Sequence, residues 1–208
     1  MQDAFVGIWA QESHLSTERL GSLRDLNHRF LDLTAARASE WVTRGEAGPA
    51  SSLATRVAPL SAAQRAAAAC CPYALFDLRF QDGGYWRLRL QNSASWRVAD
   101  ESVAGDDTVG FVRLALFYAW HVASSAGLAA QLLLGMDGST AAEFRRITVD
   151  RLPALALTEA ANLSARWSDC TAYWTALTGA ASRTDPKALR RVQLYGLQLA
   201  AVARLPKP

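Results

Sequence analysis

Three histidines, three cysteines and a few acidic clusters are the groups in this 208-residue sequence that could make or break bonds. Their spacing supplies none of the usual constellations. His14, His28 and His121 stand too far apart in the chain to share a ligand motif, and His121, beside Trp120 in an apolar segment, reads as a core or interface histidine. Cys70 and Cys71 are adjacent and Cys170 is remote, which makes neither a CxxC metal or redox motif nor an even disulfide set. Small apolar thiols in a reducing compartment are the expectation. Asp100, Glu101, Asp106 and Asp107 match no cation-binding loop and read as a solvated linker. The run Gly135-Met136-Asp137-Gly138-Ser139-Thr140 precedes a helix and offers free amides. No lysine follows it, and Asp137 would repel a phosphate, so it reads as a loop with a helix cap. No nucleophile elbow, zinc-protease pair, P-loop or dinucleotide fingerprint occurs. The sequence therefore leads us to expect no catalytic residue, no metal and no cofactor.

Two other residue classes could serve recognition. Arg56, Arg65, Arg145, Arg146 and Arg151 fall on the outward faces of short helical segments, where guanidinium groups can position phosphates. Nothing resembles a base-reading helix rich in Arg, Asn and Gln. The charge balance is mild: 22 basic against 19 acidic residues give +3 and a pI near 9.0. All basic residues but Lys187 and Lys207 are arginines in an alanine-rich chain, a compositional habit that weakens arginine as a sign of nucleic acid. Of seven tryptophans, Trp41, Trp86, Trp96, Trp167 and Trp174 flank loops or helix ends; they pack a core or line a partner surface.

The elements that must carry these groups are mostly helices. Leu23, Leu26, Phe30 and Leu33 recur at helical spacing between Leu15 and Ala38. Ser61 and Gln64 form a capping box before an alanine helix, and Thr140 with Glu143 forms another. Thr148 reads as a third cap. A long apolar helix runs from Val109 to about Leu134, and Asp185-Pro186 opens a last helix with the stripe Leu189, Val192, Leu199 and Val202. From Tyr85 to Leu90, and again at Trp96 and Val98, residues alternate apolar and polar, which suggests a small β-hairpin near 85–98. Half the residues are hydrophobic and a fifth charged, which excludes a disordered or collagenous chain. The first ten residues lack the basic start of a signal peptide, and polar residues interrupt the longest apolar stretch, so a cytoplasmic protein without a membrane span is expected.

The two halves of the chain echo each other. Ser61 and Thr148 lie 87 positions apart, and the same offset carries Phe30 to Phe117, Gly48 to Gly135, Val57 to Phe144 and Arg79-Phe80 to Arg166-Trp167. Arg79 with Asp82, and Arg166 with Asp169, would brace equivalent turns. We expect a mainly α protein, a helical bundle of two duplicated halves at 1–99 and 109–208 joined by a linker at 100–108. Such copies would pack about a pseudo-two-fold axis.

The second copy carries a family resemblance. Ala130 to Met136, then Phe144 to Thr148, Leu155-Ala156 and Ala160 to Trp167, together resemble the FlhD subunit family of bacterial flagellar master transcriptional regulators over residues 111–167. The likeness is of order: a long helix ending in a Leu-Gly turn, a short helix, a capped helix and an Arg-aromatic close. It implies an all-helical protein that regulates transcription through a protein partner, here a fused FlhD-like pair, with DNA as a further partner and Arg56, Arg65, Arg145, Arg146 and Arg151 as its contacts. The expected function is thus a non-enzymatic regulatory or adaptor protein. Its rivals are a ligand binder or enzyme with a pocket between the halves near Trp120 and His121, and a chaperone-like structural protein.

Overall fold

A computed structural model describes residues 16–38, 48–91 and 107–203. The expected features at His14, Trp41 and Trp96, the second half of the expected hairpin and the linker at 100–106 lie outside these residues. The described chain is mainly helical. Helix α1 (Thr17–Ala36) starts where Ser16 accepts from the Arg19 amide, and it turns Leu23, Leu26, Asn27, Phe30, Leu31 and Thr34 inward. Then come α2 (Pro49–Val57) and α3 (Ala62–Ala69). Ser61 and Gln64 cap α3 reciprocally, as the sequence indicates, at 3.2 and 2.8 Å.

Strand β1 (Phe76–Asp77) leads to α4 (Gly83–Gln91). The expected hairpin is overturned here, because 83–91 is helical. The Asp82 carboxylate accepts from the Tyr85 amide at 2.9 Å and starts the turn, and this cap prevails over the alternation of Trp86, Leu88 and Leu90. Trp86 is buried, while Leu88 faces water.

The expected long helix is two: α5 (Asp107–Ser125) and α6 (Gly127–Leu134), interrupted at Ala126 and ended by Gly135 at φ 73°. Helix α7 (Gly138–Phe144) is capped by Asp137, which accepts from Thr140, so Thr140 lies inside the helix instead of capping it. Thr148 opens only a 3₁₀ turn (Val149–Arg151), without a side-chain bond. The chain closes with α8 (Leu152–Glu159), β2 (Ser164–Ala165), α9 (Thr171–Ser182) and α10 (Pro186–Val202), the last capped by Asp185. Along α10 the inward stripe is Leu189, Val192, Gly196 and Ala200; Val202, expected inside, is exposed. No helix among the described residues is long and apolar enough to cross a membrane.

Front and rear portions interlock. Strands β1 and β2 pair antiparallel, Phe76 with Ala165 and Asp77 with Ser164. Helix α1 packs on α5, while α4 crosses to α7 and α9 crosses to α2 and α3. Phe30, Phe76 and Phe111 meet at the join, with ring centroids 5.1 to 6.1 Å apart.

Around the strands the geometry recurs at a spacing of 88 residues. The strands themselves keep that spacing, as do the left-handed residues Arg79 (φ 56°) and Trp167 (φ 54°) and the first residues of α4 and α9. Each left-handed carbonyl accepts an amide three residues on, from Asp82 at 2.9 Å and from Cys170 at 2.8 Å. Each helix sends an indole N–H back eight residues, Trp86 to the Leu78 carbonyl at 3.2 Å and Trp174 to that of Arg166 at 3.1 Å. The residues match at 87 and the backbone at 88. In the backbone register Arg79 therefore corresponds to Trp167, and Arg166 to Leu78.

Candidate functional site

A cleft of about 280 Å³ lies where α9 crosses α2. Gly48, Ser52, Leu53 and Arg56 line it from the front portion; Ser168, Asp169, Thr171 and Trp174 line it from the rear. Trp174 is fixed by its indole bond and gives the cleft an apolar wall with Leu53. Arg56 is half-buried and has no ion-pair partner among the described residues. A guanidinium, an aspartate and three hydroxyls around a small apolar wall can hold a compact polar ligand by charge and hydrogen bonds.

The crossing of α4 on α7 stands in the corresponding place and is built differently. There Asp137 occupies the gap between the two helix starts. Partial burial works to raise its pKa, but the Thr140 amide, the Ser139 hydroxyl at 2.9 Å and the Gly83 amide outweigh it and hold the carboxyl below its ordinary value. Ser139 comes so close to Gly83 that a Cβ on that glycine would collide with its hydroxyl. The α2 start carries Gly48 instead of a capping carboxylate, so that crossing remains open.

The arginines singled out from the sequence do not gather in one place. Arg145, Arg146 and Arg151 are exposed at the corner after α7. Glu143 takes Arg146 at 3.3 Å and Arg87 of α4 at 3.5 Å, so an acid is set among these cations. A shallow groove of about 190 Å³ runs beside them, lined by Leu90, Gln91, Glu143, Arg146, Ile147 and Arg151. Arg56 lies in the cleft. Arg65 is half-buried and tied to Asp32 of α1 at 2.6 Å, a brace between helices.

At the paired turns, Arg79 meets Asp82 at 2.6 Å as expected, and its guanidinium lies 4.1 Å from the centre of the Tyr85 ring. The Tyr85 amide and Arg79 hold the Asp82 carboxyl below its ordinary value. Arg166 takes another course. It is buried against Gly135, donates to the Leu133 carbonyl at 3.3 Å and stacks on Trp167, while Asp169 faces the cleft. His121 is exposed, which excludes the core placement but not the interface one read for it, and the Trp120 indole donates to the Ile147 carbonyl at 2.9 Å.

Sequence reasoning missed a buried polar knot. Glu159 is wholly buried at the end of α8 and accepts from Tyr85 at 2.6 Å, Arg89 at 2.7 Å and Asn162 at 2.8 Å. Burial, then the bond to Glu159, pushes the Tyr85 phenol up to about 12. Its signal was readable, since Leu152, Leu155, Ala156 and Glu159 share one stripe and the acid takes the last buried position. A second cluster joins Tyr73, Tyr173, Tyr195, Cys71 and Cys170, and burial pushes the Cys71 thiol up to about 11. Among the described residues no group of three or more His, Cys, Asp or Glu side chains could hold a metal ion.

No protein-family model, curated protein or solved structure matches the chain.

Proposed function

We propose that this protein is a regulatory or adaptor protein of FlhD-like build that works through contacts with other macromolecules, its two halves serving as a built-in pair. The observation that carries the reading is the recurrence at 88 residues of strand, left-handed turn, tryptophan back-bond and crossing helix. Each crossing helix packs on the opposite portion. Such mutual packing supports the reading of a dimer written into one chain. Arg145, Arg146 and Arg151 are the residues through which such a protein would touch phosphates, and Arg56 and Arg65 are set aside for structural or cleft roles.

Purification of the tagged full chain from its source organism, followed by native mass spectrometry, tests the reading. A second protein at fixed stoichiometry is expected; a lone chain carrying only a small molecule would overturn it. For the DNA component, affinity for duplex DNA should fall with added salt in proportion to the phosphates contacted, and binding without salt dependence removes it.

The open cleft supports a second reading, a small-ligand binder with its site between the portions, formed by Arg56, Asp169 and Trp174 instead of His121. Arg56→Ala should then abolish the small-molecule mass shift without altering thermal stability.

A further inference from the structure

Three of the seven large hydrophobic side chains that stand most exposed among the described residues belong to one helix, α10: Leu194 at 61%, Leu197 at 43% and Val202 at 63%. Leu194 and Leu197, with Ala201, fall at i, i+3 and i+7 and so form one stripe. The helix cannot turn to bury it. Its other face is already in the core, with Gly196 pressed against the Tyr73 phenol so tightly that a Cβ would collide. Tyr73 donates to the Val192 carbonyl at 3.4 Å, and Gln193 donates to that of Cys70 at 3.1 Å. The stripe continues toward the helix start into charge. Lys187, Arg190 and Arg191 are exposed, none has an ion-pair partner among the described residues, and no carboxylate occurs from Pro186 to Val202.

We propose that this face of α10 docks an acidic amphipathic helix of a partner protein, the leucines in its apolar seam and its carboxylates over Arg190 and Arg191. The inference deepens the adaptor reading and rests on it. The 4-3-4 spacing of Arg190, Leu194, Leu197 and Ala201 is the seam that a second helix fills. Charge decides what kind of helix. A second copy brings only cations: parallel pairing sets arginine against arginine, and antiparallel pairing leaves every charge without a counter-ion. Nucleic acid would satisfy the cations and leave the leucines in water. A bilayer surface calls for a broad apolar face, and most of the apolar face of α10 is already buried in the core.

The test uses the full-length chain and two labelled synthetic helices of about 20 residues. Both carry leucine at i, i+3 and i+7; one is flanked by glutamates and the other by lysines. Fluorescence anisotropy should show the acidic helix binding at least about tenfold more tightly, with about tenfold loss in Leu194→Asp/Leu197→Asp and in Arg190→Glu/Arg191→Glu. Circular dichroism and the milder Leu194→Gln/Leu197→Gln variant establish that folding is intact. Equal binding of both helices, or of neither, overturns the proposal. So does binding to phosphatidylserine vesicles without binding to the acidic helix, or a dimer that the leucine variants dissolve. If a stoichiometric partner still co-purifies with the leucine variant, this face is wrong and the adaptor reading stands. If none co-purifies with the unaltered chain, the adaptor reading itself fails.

Discussion

Removing either partner of the Arg89–Glu159 pair should destabilise the protein unequally, because the two ends sit in different surroundings. Glu159 has no exposure at all, while the Arg89 side chain keeps 29% of its surface in water. Arg89→Met strands a buried carboxylate with only Tyr85 and Asn162 as donors, and loss of one partner from a buried ion pair costs about 3–5 kcal/mol. At ~2–4 °C per kcal/mol for a chain of this size, Tm falls on the order of 10 °C. Glu159→Gln keeps an acceptor oxygen for Tyr85, and Arg89 can swing its guanidinium outward, so its cost is nearer about 1–2 kcal/mol. The double variant should be more stable than Arg89→Met alone, since the stranded charge has gone. Urea denaturation of the four proteins at pH 7 gives the complete cycle. An Arg89→Met variant as stable as Glu159→Gln, or strictly additive effects, would refute the reading of Glu159 as a carboxylate that depends on its guanidinium.

Three further outcomes follow from single contacts. Gly135→Ala puts a side chain at φ 73° and against the Arg166 guanidinium, which should cost about 2–4 kcal/mol in urea denaturation, whereas Gly21→Ala, in open space within α1, should stabilise by about 0.5–1 kcal/mol. Cys70 is exposed and Cys71 is buried with its thiol pushed up to about 11, so a thiol reagent at pH 8 should label Cys70 in the native protein and Cys71 only after unfolding; native labelling of Cys71 in a Cys70→Ser variant would contradict the burial. Burial raises the phenols of Tyr73, Tyr85, Tyr118 and Tyr173. The folded state therefore favours their neutral forms, and stability is lost as pH climbs past about 10, where unfolded tyrosines ionise. Tyrosinate absorbance and loss of helical dichroism should then rise together; full ionisation of a still-folded chain would be the contrary result.

What could be read in the sequence follows from the range of the forces involved. The caps at Ser61 and Asp185 and the inward face of α1 depend on neighbours within four residues, and they were visible. The helix at 83–91 was hidden because its alternation imitates a strand, while the deciding Asp82 cap lies three residues before the alternating run. Asp137 took the cap expected of Thr140 because it also serves the Gly83 amide, a contact 54 residues distant that no local pattern records. The open cleft was out of reach for the same reason: it exists only where α9 meets α2, and the sequence pointed instead to His121 and Trp120. Arg166 was placed at a turn by its likeness to Arg79, yet the backbone repeat sets it in the position of buried Leu78, and there its guanidinium turns inward to Leu133.

The one-residue difference between the residue match and the backbone repeat bears on how the crossing arose. The observed bridges set Phe76 opposite Ala165 and Asp77 opposite Ser164. Residues matched at 87 upstream, such as Ser61 and Thr148, lie before the rear portion makes a 3₁₀ turn at Val149–Arg151 and a second at Ala160–Asn162. A 3₁₀ turn rises more per residue than an α turn, so an added residue can be taken up there without shifting the core. The strand pair, two residues long, then fixes the register downstream, because a slip of one residue would turn Phe76 from the core to the opposite face. Phe76, fully buried against Phe30 and Phe111, thus ties that register to the core where the two portions meet. Both crossings, the filled one at Asp137 and the open one at Arg56, take their positions from that register.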